Sequence, residues 1–145
     1  MTEREITTAA LKAAWKMVET IFPRYSVSRK DGSALLTLTI IMALQDLRES
    51  EVLEWKKPPP PNTLLILDQD SIRPKKAEKS RFVLKADYSS QEIDRAAQSA
   101  EQLCDRYDLP EIERATLFTA LPCLGLHALQ DYIVWKKEPP FLELG

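Results

Sequence analysis

Ala43-Leu44-Gln45-Asp46, followed by Trp55-Lys56-Lys57-Pro58-Pro59, is the stretch on which the fold turns. It returns as Ala128-Leu129-Gln130-Asp131 and Trp135-Lys136-Lys137-Glu138-Pro139-Pro140. A third match precedes both, Arg24-Tyr25 and Arg106-Tyr107. Three matches in one order imply two related helical hairpins separated by an insert. In chain order the offsets are 82, 85 and 80 residues. The first change fits in a loop. The second does not fit so easily, because Asp46 to Trp55 is nine residues and Asp131 to Trp135 is four. Five extra helical residues would rotate the tryptophan by about 140°. The two Trp-Lys-Lys segments therefore occupy equivalent positions only where one lies beyond its helix.

Outward from these markers, the first helix opens with a capping box, Thr2 with Glu5, and carries Leu11, Trp15, Val18 and Phe22 at helical spacing. Pro23 ends it. After a turn from Ser26 to Ser33, Ser33 caps a long second helix that runs to Trp55. Its first half is apolar on nearly every side and marks the most buried helix. Pro58 to Pro61 then form an extended spacer. Two strand-like runs follow, Leu64 to Leu67 and Arg81 to Leu84, expected to pair as a small β-ribbon around a basic loop. Ser89 and Glu92 open the third helix, whose inner face is Ile93, Ala96, Ala97, Ala100, Leu103, Cys104 and Tyr107. Asp108 is placed to cap the last helix, with Pro110 in its first turn. That helix is expected to run to about Lys137, with a kink or break near Pro122. Phe141 to Leu144 reads as a docked tail.

The fold class is thus mainly α, a four-to-five-helix bundle built from two helical hairpins with a small β-ribbon insert. It is one domain, with hairpins at 1–57 and 89–138, the proline spacer and basic ribbon at 58–88, and an extended tail at 139–145. A chain of 145 residues with 44% hydrophobic content can fill one core. Three glycines argue against open α/β nucleotide-binding folds, which need glycine at phosphate contacts. Two cysteines, Cys104 and Cys123, make neither a metal set nor a disulfide framework, so they read as reduced thiols. The first residues show no basic-then-apolar pattern, so no signal segment is expected. The longest apolar run, Ala34 to Leu44, is shorter than the roughly 20 residues of a bilayer span. The expectation is a cytoplasmic protein without membrane contact.

Charge supplies the sharpest functional signal. Arg73, Lys75, Lys76, Lys79, Arg81 and Lys85 fall between Ile72 and Lys85 with one acid, Glu78. That segment carries +5, which leaves −7 elsewhere in a chain of net charge −2. A cationic ribbon on an acidic body suits a phosphate backbone. Only Phe82 and Tyr88 lie near for stacking, so base readout is not implied. The same lysines would also protect a solvated strand edge. Other constellations are weaker. Asp68 and Asp70 end an apolar strand, an arrangement that can bind a divalent ion, but no glycine turns accompany them. His127, four residues from Cys123, lacks an orienting acid and an oxyanion loop, and reads as a packing or partner-facing residue.

The helices around Trp15 and Tyr107, with the basic run Arg73 to Lys85, resemble the small helical subunits of class 1 CRISPR effector complexes. The resemblance implies a short, catalytically silent protein that lines the path of a nucleic-acid strand. The insert from Pro58 to Tyr88 departs from the plain bundle of those subunits. On this reading the chain is a non-catalytic member of a nucleoprotein complex without cofactor. Its partners are larger protein subunits, copies of itself among them, and the backbone of RNA or single-stranded DNA. The alternatives are a protein–protein adaptor and, more remotely, a metal-dependent enzyme using Asp68 and Asp70.

Overall fold

A computed structural model of the chain describes residues 5–68 and 72–141. It is mainly helical. In chain order come α1 (Thr8–Arg24), α2 (Arg29–Glu49), β1 (Leu53–Trp55), β2 (Thr63–Ile66), β3 (Arg73–Lys76), α3 (Ser90–Arg106), α4 (Glu111–Ala128) and β4 (Ile133–Trp135). β1 pairs with β4 and β2 with β3, both antiparallel.

The repeat is built into the packing. The two helices of each half do not form the main contacts with each other. α1 packs chiefly on α4, α3 packs on α2, and α2 and α4 meet each other in the middle. Each half therefore donates its outer helix to the inner helix of the other half. The ion pairs follow the same exchange. Arg24 reaches Glu113 at 3.4 Å and Arg106 reaches Asp31 at 3.0 Å, two pairs related by one offset of 82 residues. The last-turn arginine of each outer helix thus meets a first-turn acid of the opposite inner helix, which suits both helix dipoles.

The Trp-Lys-Lys segments resolve their phase conflict by leaving the helices. Each tryptophan is the last residue of a strand, with its lysines just beyond, and the two strands pair with each other around Glu54 and Val134. The backbone bonds beyond the ladder are reciprocal. Lys56 N–H donates to the Tyr132 carbonyl at 2.8 Å, and Lys136 N–H donates to the Val52 carbonyl at 2.7 Å. Burial repeats residue for residue between 51–60 and 131–140, and again between 35–44 and 120–129. Offsets of 80 and 85 are therefore both structural.

Several helix ends differ from the sequence expectation, each for a local reason. Thr2 lies outside the described residues, and Glu5 precedes α1. The cap is Thr7, whose side chain accepts the Ala10 N–H at 3.1 Å. Buried Ile6 and half-buried Leu11 hold the positions of a hydrophobic staple around it. α2 is capped by Ser28, not Ser33. It stops at Glu49, short of Trp55, because Glu51 turns left-handed (φ 59°) and Val52 N–H returns to the Leu47 carbonyl at 2.8 Å. Ser26 (φ 56°) and Asp108 (φ 53°) end α1 and α3 in the same way. Asp108 is thus consumed in closing α3, and Pro110 holds the cap position of α4. α4 runs unbroken through Pro122 but stops at Ala128, well before Lys137, and the chain then enters β4.

The insert also pairs differently. The partner of β2 is the basic segment β3, whereas Arg81 to Leu84 touches β2 only at one bridge, Thr63 with Leu84. The register explains why Arg-Pro-Lys-Lys can be a strand. Ala77 N–H bonds the Asn62 carbonyl at 2.6 Å, which makes Leu65 and Pro74 a pair without ladder bonds. The missing proline N–H therefore costs no hydrogen bond. The Thr63 carbonyl faces the opposite edge, where Leu84 N–H binds it at 2.7 Å. Thr63, Leu65 and Leu67 face inward, and β2 lies on α2. Ser33 Oγ accepts the Leu67 N–H at 3.2 Å, so the residue expected to cap α2 holds the ribbon instead.

The core centres on Leu35, Leu36, Ile40, Leu117, Leu121 and Leu126, all fully buried. A methyl group on Gly125 would lie 2.2 Å from Ile40 Cδ1 and 2.3 Å from its Cγ1. Ile40 and Gly125 correspond under the 85-residue offset, so the inner helices meet at equivalent positions, one large and one absent. Gly125→Ala should lower stability by about 1 kcal/mol net, because overpacking costs roughly 1–3 kcal/mol against the ~1 kcal/mol alanine gains in a helix. Combining it with Ile40→Val should cost less than the sum of the single changes in urea denaturation. Asp31 yields a second prediction. Burial pushes its carboxyl up, but bonds from the Tyr107 hydroxyl and the Arg106 guanidinium outweigh this and hold it below the usual carboxylate range. Its contribution is full above the unfolded value of about 4 and fades as pH falls through the depressed folded value. Asp31→Asn should cost about 1 kcal/mol at neutral pH and progressively less in melts taken below pH 4.

Candidate nucleic-acid interface

The six cations read from the sequence are all exposed. The fold divides them. β3 carries Arg73, Lys75 and Lys76 along one edge of the ribbon. Lys79 lies in the following bend, and Arg81 and Lys85 line a different groove with Pro59, Tyr88, Glu92 and Arg95. Lys85 is held there. It forms an ion pair with Glu92, and its ammonium lies 5.2 Å from the centre of the Tyr88 ring. The Tyr88 hydroxyl accepts the Lys85 N–H and donates to the Val83 carbonyl at 3.0 Å, and burial pushes it up to about 12. Phe82 and Tyr88, the aromatics nearest in sequence, belong to this second groove.

The β3 cations face two adjoining grooves separated by Pro74 and Tyr132, which line both. One, of about 430 Å³, is formed by Pro60, Pro61, Asn62, Thr63, Lys75 and Lys76 with these two residues. Lys57 stands over the Tyr132 ring at 5.3 Å from its centre, close enough for a cation–π contact. The larger groove, of about 960 Å³, lies between α1, the end of α4 and β3. Trp15, Leu11, Ile72 and Leu124 supply apolar surface there, and His127 lines it beside Gln130 and Asp131. Lys12, Lys16 and Arg73 bring positive charge, offset by Glu19, Asp68 and Asp131. The small groove is thus cationic, and the large one is electrically mixed with an aromatic wall.

Neither Trp15, Tyr132, Lys12, Lys16 nor Lys57 is marked by the basic run. They come from α1, from the turn between α4 and β4, and from the segment just after β1. The usable hint is the repeat itself, in which Tyr132 occupies the position held by Val52 in the first half. The aromatic appears only on the side where β3 lies.

The tryptophans of the repeat have structural work. Both are half-buried against the core, and Trp55 Nε1–H donates to the Ala86 carbonyl at 2.8 Å, which also takes a bond from Arg48 at 2.9 Å. Lys137 Nζ reaches the Ser50 carbonyl at the end of α2 at 3.4 Å. Asp68 is half-buried and pairs with Arg29 at 3.7 Å, while Asp70 lies outside the described residues. Among the described residues no three His, Cys, Asp or Glu side chains gather to hold a metal ion. None of the described helices is long and apolar enough to cross a membrane. Phe141 is buried beside Met42, Phe118 and Pro122, and the rest of the expected tail, from Leu142 on, lies outside the described residues.

The chain matches no protein-family model, no curated protein and no solved structure.

Both cysteines are buried and unbonded, and burial pushes their thiols up, Cys104 to about 11 and Cys123 to about 12. Thiolate, the reactive form, is scarce in both at neutral pH. Ellman's reagent should therefore find neither thiol in the native protein and both in denaturant.

Proposed function

We propose that this chain is a non-catalytic nucleic-acid-binding protein that holds a single strand by its backbone along β3. The observation that carries this reading is that Lys75 and Lys76 line one groove together with Tyr132, over whose ring Lys57 stands. Lysines placed only to protect a strand edge would be confined to that edge. Here cations from two elements, α1 and β3, line the two grooves. Among the described residues, Lys75 and Lys76 form no ion pair, which leaves them free to meet phosphate. Lysine and arginine that neutralise phosphates release condensed counterions, and this favours binding at low salt. The resemblance to the small subunits of class 1 CRISPR effectors gives the reading a specific form, a strand shared with larger protein subunits. Its support is the helical architecture and this basic face.

Fluorescence anisotropy with a labelled random-sequence RNA or single-stranded DNA tests the proposal. Affinity should fall as salt is raised from about 50 to 200 mM. Replacing Lys57, Lys75 and Lys76 with alanine should reduce the slope of log affinity against log salt by about 2, from roughly 0.7 per lost contact on a single strand. The same change at Lys79, Arg81 and Lys85 should have a smaller effect. No binding of either strand at low salt by the intact protein would overturn the reading and leave the adaptor alternative.

A further inference from the structure

We propose that the larger groove beside β3 is a nucleobase site, taking one unpaired base from the strand whose phosphates follow Lys75 and Lys76. The inference rests on the backbone-binding reading and adds a second recognition element to it. Trp15 and Tyr132 both line this groove, and Pro74 on β3 forms the ridge between it and the cationic groove. A base leaving the backbone at β3 therefore meets an aromatic wall on one side of the ridge while its phosphates meet lysines on the other.

The chemistry of the lining agrees with a base better than with a further phosphate. Among the described residues that line the groove, the cations Lys12, Lys16 and Arg73 are matched by the acids Glu19, Asp68 and Asp131. A phosphate gains little from such a balanced lining. A neutral base, by contrast, can stack on an indole or phenol ring. Its polar edge can meet the amide of Gln130 and the carboxylate of Asp131, which are exposed at the rim. Such stacking requires an unpaired base, since a duplex keeps its base faces covered. The occupant is therefore single-stranded.

The test compares two labelled DNA strands of equal length, one ordinary and one built of abasic units, on the full-length protein. Both carry the same phosphates, so the backbone contribution is common. The ordinary strand should bind roughly ten-fold more tightly, in line with the contribution of a stacked base. Trp15→Leu, which keeps apolar bulk but removes the aromatic face, and Tyr132→Ala should each shrink that ratio, and Trp15→Phe should largely preserve it. Melting curves on the three variants confirm that each is folded, and Tyr132→Ala, at a half-buried position, serves where Trp15→Leu does not fold. Equal binding of the two strands overturns the base site and leaves the backbone reading standing. A ratio that persists in folded Trp15→Leu and Tyr132→Ala also overturns it, because the base then sits elsewhere. Failure of both strands to bind overturns the backbone reading, and the base site with it.

Discussion

The close crossing of α2 and α4 at Ile40 and Gly125 is the constraint on which the rest of the structure depends. Two helices can meet face to face near equivalent positions only when one of the two side chains gives way, and here Gly125 has no side chain to place. That contact brings the two inner helices together, and each then offers its remaining apolar surface to the outer helix of the opposite half. The Arg24–Glu113 and Arg106–Asp31 pairs tie the exchanged ends, while the β1–β4 ladder ties the other side of the exchange. A similar trade in volume occurs at Gly32, where an added methyl would lie 2.6 Å from Phe22. Close packing across a near-symmetric interface is achieved by breaking the symmetry of side-chain size.

The insert breaks the symmetry a second time, and on this side the candidate binding face is found. β2 lies on α2, while β3 reaches toward α4, so the ribbon spans both halves of the repeat. The polar residues of α2 that hold it, Ser33 and Thr37, sit one helical turn apart. Thr37 is fully buried, and its hydroxyl lies 3.2 Å from the Ser33 carbonyl and 3.5 Å from the Leu65 carbonyl. The cations of β3 are thereby set against Tyr132 and α1 rather than left on a loose loop.

Much of this was legible in the residues, and the failures share a physical cause. The helices announced themselves through periodic apolar positions; the inner face read for α3 is the one that is buried. The doubled pattern was also legible, down to its unequal offsets. What could not be read was where helices stop, because Ser26, Glu51 and Asp108 adopt left-handed geometry that glycine usually marks. Strands as short as β1 and β4 leave no alternation to detect. β3 was hidden for a different reason: Arg-Pro-Lys-Lys has no strand propensity of its own and pairs because β2 offers it an edge. The candidate site was half visible. The cations of β3 are contiguous in the chain, but Lys12, Lys16, Trp15 and Tyr132 become neighbours of β3 only through the tertiary packing of α1 and α4, which no local pattern encodes.

The exchange of outer helices also has a temporal side. α1 leaves the ribosome first, yet the surface it covers belongs to α4, which is synthesised after α2, the ribbon and α3. Until then the apolar face that α1 buries against α4 has no partner. Folding must therefore wait for nearly the whole chain, and contacts between residues so distant in sequence close slowly. A nascent chain of this design is exposed for longer than an ordinary helical hairpin of the same length, and chaperones or a second copy could reach its bare faces during that interval.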